Sequence, residues 1–165
     1  MNNNEIYGFA FGKTIASGIL YRLKNIDCCY LVFGVTSIEQ YLNFLIKGQP
    51  EYILGLGVYK GIDQDEIRIE EVCTNKFKNG FIEDDKFEIS KINPYLKPNK
   101  LSKLAGGIEN SYCNYISYKI INLIQAGELK SKYTFLHIPK SFNAQISAKT
   151  IDEMIFNFKA EIPKT

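Results

Sequence analysis

A cysteine, a histidine and a pair of glutamates in this chain are of the types that can act together. Cys113 lies near the start of "NSYCNYISYKII" (110–121), and His137, the only histidine, lies in "FLHIP" (135–139). A thiol reacts as its thiolate, and imidazole is the usual base for generating one. Any cysteine–histidine mechanism in this chain must therefore use His137. A carboxylate would orient the ring as a third member, and Glu70 and Glu71 stand near the end of "EIRIEEV" (66–72). If Asn110 or Ser111 caps a helix, Cys113 falls in its first turn, where unpaired backbone N–H groups favour an anion. The bland alternative fits the spacing equally well. Cys113 is in register with Ile116, Ile120 and Ile124, and periodicity alone favours a buried stripe ending in an inert thiol.

Composition narrows the classes. The chain has 165 residues, enough for one domain over 1–165 with a sound core and no staples. Net charge is +2 with the charges interspersed, and the only arginines are Arg22 and Arg68. No concentrated basic face is expected, which argues against nucleic acid as a partner. No apolar run approaches the roughly 18 residues of a membrane span, and the start lacks the pattern of a secretory signal. The four cysteines form no CxxC and no Cys/His cluster. Reduced thiols in a cytoplasmic protein are expected, with neither a metal nor an organic cofactor.

The elements that must position these residues alternate in type. "EIYGF" (5–9) reads as a short strand, followed by a helix near Ala16–Lys24. "CCYLVFGV" (28–35) reads as a strand buried on both faces. A helix with an Ile38, Tyr41, Leu42, Leu45 stripe follows, with capping-box spacing at Ser37/Gln40 or Thr36/Glu39 and a stop at Gly48. "YILGLGV" (52–58) reads as a buried strand and "EIRIEEV" as a more exposed one. Residues 76–104 predict a hairpin, with "NG" at 79–80, and a long loop. A helix over 110–126, a strand over 133–139 and a helix over 148–162 complete the chain. The class is α/β, a three-layer sandwich with a largely parallel central sheet. The strand ends near Glu70 and His137 are then expected on one rim, where such sheets place their functional crevice.

Taken together, these segments resemble the pyroglutamyl peptidase I family of cysteine peptidases. "YCNYISY" and "FLHIP", with 24 residues from Cys113 to His137, are similar to its nucleophile and histidine segments. "IRIEEVCTN" resembles its glutamate segment, and that alignment picks Glu70 over Glu71, with Val72 and Asn75 also matching. "YGFAFGK" resembles its N-terminal loop, and "QPEYILGLGVYKG" its strand ending in a glycine-bearing turn. The resemblance implies a phosphorylase/hydrolase-like fold and a Cys113–His137–Glu70 triad. The implied substrate is a peptide with N-terminal pyroglutamate, in a slot lined by Phe9 and Phe11 with Tyr112 beside the nucleophile. It also implies a homo-oligomer, a dimer or tetramer. The chain departs from the family in a shorter segment between Glu70 and Cys113. Gly80 stands where the family carries an arginine. A non-catalytic binding or assembly module, or a thiol amidohydrolase of another substrate, are the rival readings.

Overall fold

Buried apolar runs and helices with one apolar stripe must share a core, and here they do so on either side of one sheet. The computed structural model describes residues 5–61, 65–83 and 86–162. The elements in chain order are β1 (Ile6–Phe11), α1 (Ile15–Leu20), β2 (Cys28–Val32), α2 (Val35–Gly48), β3 (Tyr52–Tyr59) and β4 (Ile67–Glu70). β5 (Val72–Thr74), β6 (Ile89–Lys91), β7 (Ser102–Ala105), α3 (Tyr112–Gln125), β8 (Lys132–Pro139) and α4 (Ala144–Glu161) follow. The main sheet has six strands in the order β2-β1-β3-β8-β4-β7, and β5 and β6 form a separate antiparallel pair. Strands β2, β1, β3 and β8 are parallel. Strands β4 and β7 are parallel to each other, but β4 runs antiparallel to β8.

The two faces carry separate cores. On one, α1 and α4 bury Ile19, Leu20, Ile151 and Ile155 against Leu54, Leu56 and Ile138. On the other, α2 and α3 bury Tyr41, Leu45, Ile116 and Ile120 against Phe9, Ile53 and Phe135. Alternation along each central strand supplies both faces at once, hence the unbroken apolar runs.

Several sequence expectations are corrected by this topology. β2 is an edge strand and only partly buried, although its run reads as central. β4 is the reverse case: Ile67, Ile69 and Glu70 are fully buried because β7 covers its far side. β7 itself, "SKLA", falls inside the stretch expected to be a loop, since an edge strand with polar residues leaves little periodic signal. Ser37 is not the cap of α2. Gly34 is, and the Ser37 hydroxyl accepts the backbone N–H groups of Phe33 and Gly34 from the third helical position. α4 begins at Ala144 rather than 148, capped by the Asn143 side chain, which accepts the N–H groups of Gln145 and Ile146.

The glycines of "YILGLGV" explain how the sheet packs on its α2/α3 face. Gly55 lies between Phe9 on β1 and Phe135 on β8 in one row across the sheet. Both rings fold over it, and a Cβ there would sit 2.4 Å from Phe135 and 2.6 Å from Phe9. Gly55→Ala is therefore expected to cost about 1–3 kcal/mol in urea unfolding, as overpacking does. Gly80→Ala, where a Cβ meets nothing within 4 Å, should stay within about 0.5 kcal/mol of wild type.

Candidate active site

Strand β8 carries His137 to the sheet interior, directly opposite Gly57 on β3 and Arg68 on β4. Glu70 sits two residues further along β4 on the same face, so it meets His137 across a diagonal of the antiparallel pair. Its Oε1 lies 2.7 Å from His137 Nδ1. Glu70 is fully buried and His137 nearly so. A proton on Nδ1, donated to Glu70, leaves the lone pair on Nε2. The expectation that Glu70 reaches the histidine from a shared strand end is corrected here. β4 runs the other way, and the carboxylate approaches from deeper in the sheet. Glu71, just past the end of β4, is partly exposed.

Cys113 arrives from the other layer. Ser111 caps α3 in extended conformation, and Cys113 is the second residue of the helix. What seats this helix end is its neighbour. The buried Asn114 side chain accepts the Thr74 N–H and donates to the carbonyls of Thr74 and Lys76, with polar atoms 2.6–2.8 Å apart. Asn75 organises the following loop in the same way, accepting the N–H groups of Ile82 and Glu83 and donating to the carbonyls of Glu83 and Lys86.

The thiol and the imidazole converge over Gly57. A Cβ on that glycine would lie 2.8 Å from Cys113 Sγ, 2.9 Å from His137 Cδ2 and 2.9 Å from the Phe135 ring. The two side chains thus flank one methyl-sized volume that only glycine leaves open. Phe135 packs edge-on against the imidazole with ring centres 5.0 Å apart. Burial pushes the Cys113 thiol up to about 12. The Ser111 side chain and the Cys113 backbone N–H act in the opposite direction, and the Glu70 charge adds to the rise. The helix-start effect expected from sequence is present but outweighed by desolvation.

A cavity of about 300 Å³ opens beside the pair, lined by Phe11, Thr14, Val58, Tyr59, Gly107, Ser111 and Tyr112, with Lys60 and Glu109 at its exposed side. Phe11 and Tyr112 both line this cavity. Phe9 does not: it is wholly inside the α2/α3 core, tilted against Tyr41 and Phe135. Tyr112 leans outward on Phe77, leaving it 38% exposed and the slot partly open. A larger hollow of about 950 Å³, bordered by Arg22, Lys149, Asp152 and Phe156, contains neither thiol nor imidazole. Among the described residues no three His, Cys, Asp or Glu side chains gather as metal ligands. No helix among them is long and apolar enough to cross a membrane.

Gly57→Ala should push the thiol and imidazole apart, lowering the rate of Cys113 alkylation by iodoacetamide at neutral pH by at least about tenfold. In His137→Ala the thiol loses its base while burial still holds it near 12. Its alkylation rate should then be low at neutrality and climb without a plateau between about pH 7 and 10, because the thiolate fraction rises tenfold per unit below the pKa.

No family model and no curated protein sequence matches the chain. Solved structures do. The pyroglutamyl peptidase I of Bacillus amyloliquefaciens superposes with a TM-score of 0.77 at 16% identity, over 96% of this chain and 98% of that one. The pyrrolidone carboxyl peptidase of Fervidobacterium islandicum gives 0.77 at 16% identity, over 96% and 99%. That of Thermococcus litoralis gives 0.75 at 14% identity, over 98% and 100%. The chain has the α/β fold of the pyrrolidone carboxyl peptidases along almost its whole described length.

Proposed function

We propose that the chain is a cysteine peptidase of the pyroglutamyl peptidase I type, removing N-terminal pyroglutamyl residues from peptides. The observation that carries this reading is the convergence of Cys113 and His137 over Gly57, with Glu70 bonded to the far side of the ring at 2.7 Å. The shared fold with enzymes of that name adds to it.

In the proposed reaction His137 Nε2 takes the Cys113 proton as the sulfur attacks the carbonyl joining the pyroglutamyl residue to the next. The developing oxyanion is met by backbone N–H groups at the start of α3, which have no partner inside the helix. The imidazolium hands its proton to the departing amine, leaving a thioester. A water, deprotonated by the same imidazole, cleaves the thioester, releasing pyroglutamate and restoring the thiol. A thiol held near 12 is a poor nucleophile by itself. Proton transfer to His137 coupled to attack answers that problem, and Glu70 stabilises the resulting cation.

The small, flat, uncharged lactam suits a slot of about 300 Å³ walled by Phe11, Val58 and Tyr59. Of the charged residues that line the cavity, Lys60 and Glu109 are exposed and Glu70 is engaged by His137.

The test is hydrolysis of a pyroglutamyl chromogenic amide. Wild type should turn it over, and Cys113→Ala should not. Glu70→Gln should lower kcat by about 10²–10⁴-fold with KM little changed, as expected for a group that stabilises the imidazolium. Absence of turnover together with no preferential alkylation of Cys113 would sink every enzymatic reading and leave a binding module. Alkylation without turnover would point to another amide substrate.

A further inference from the structure

Among the described residues, Arg68 places a cation inside this arrangement. Arg68 is the residue on β4 paired directly with His137, and its side chain is 19% exposed. Its Nε lies 3.2 Å from Glu70 Oε1, the same oxygen that meets His137 Nδ1. The Nε–H is buried and not aligned as a hydrogen bond to that oxygen, and Glu70 Oε2 has no hydrogen-bond partner among the described residues. The contact is therefore one of charge with charge. The guanidinium is held in place from the other side by Tyr59, lying 4.2 Å from the ring centre. Tyr59 in turn lines the cavity, with its ring centre 6.2 Å from that of His137.

We propose that Arg68 is a positioning residue for the Cys113–His137 pair: clamped on Tyr59, its charge holds the Glu70 carboxylate against Nδ1 and opposes a second positive charge on the ring. This rests on the peptidase reading for its catalytic meaning, though not for its physical content. A lone buried carboxylate beside His137 would draw a proton onto the ring and trap it as imidazolium, in which state it accepts nothing from the thiol. A cation on the same oxygen shares that negative charge and opposes the trapping, while leaving Glu70 able to orient Nδ1–H. The groups facing the ring are Glu70 and Arg68 from β4, Tyr59 from β3 and Cys113 from α3, with Lys60 and Glu109 at the open side of the cavity. Of these, Arg68 is the cation in contact with the carboxylate that bonds the ring.

The single histidine makes the test direct, since one imidazole signal reports on the site whether or not the protein turns over any substrate. The pH titration of that signal by NMR is compared in wild type, Arg68→Gln, Arg68→Met and Arg68→Lys. Loss of the positive charge should move the midpoint upward by about one pH unit, a tenfold gain in proton affinity. Arg68→Lys should stay within a few tenths of wild type. Arg68→Met keeps the apolar body against Tyr59 and serves if the glutamine variant does not fold. The acid limb of kcat/KM for the pyroglutamyl amide should move the same way in the neutral variants. Equal midpoints in all the variants, or an equal shift in Arg68→Lys and the neutral ones, would overturn the proposal. A wild type with no turnover but the expected midpoint shifts would overturn the peptidase reading alone.

Discussion

A carboxylate that is wholly out of water is costly to bury unless positive charge or hydrogen bonds meet it. Glu70 is such a group, and the architecture around it meets that demand at one oxygen, with His137 on one side and Arg68 on the other. Both partners come from the antiparallel contact between β4 and β8, the one such contact in the main sheet among the described residues. A parallel neighbour would have offered evenly slanted pairs. The antiparallel one sets Arg68 squarely opposite His137 and Glu70 on the diagonal, so three functional groups lie on one face within two rungs. The price is a strand pair that is polar on the face where its neighbours are apolar, and Phe135, Gly57 and Tyr59 are what closes that face around it.

The second constraint is space. A cysteine on a helix and a histidine on a strand belong to different layers, which ordinarily stand apart by the length of intervening side chains. Gly57 removes that spacer at one point, and Asn114 fixes the helix end over it by bonding the backbone on either side of Thr74. The same device, one row deeper at Gly55, lets Phe9 and Phe135 close the core beneath the site. The site is thus an extension of the packing scheme of the sheet rather than an addition to its edge.

The helices and the central strands were legible because their periods are local: the apolar stripe of α2 and the unbroken runs of β3 and β8 carry their own signal. Strand direction and strand neighbours are not local. Nothing in "EIRIEEV" distinguishes a strand running with β8 from one running against it, and nothing in "CCYLVFGV" announces an edge. The candidate trio was legible only as residue types in an order resembling a known family. Arg68 left no such trace, since its partner Glu70 is two positions away but its place opposite His137 depends on register across 69 residues of chain. Phe9 and Phe11 share a strand face by alternation, and only the depth of Tyr41 and Phe135 separates core from cavity. Gly57 and Asn114 did carry a readable signal, a glycine inside a buried strand and a polar residue on an apolar helix face. Each marks a close approach or a buried network whose partner lies elsewhere in the chain.

If Cys113 and His137 form one reacting unit, turnover passes through a thioester on that thiol. Intact-mass analysis of the protein quenched during turnover of a pyroglutamyl ester, followed by peptide mapping, looks for that adduct. One added pyroglutamyl group per chain is expected, located on the peptide containing Cys113 and absent in His137→Ala. An unmodified protein during active turnover, or an adduct on Cys28, Cys29 or Cys73 instead, would contradict it.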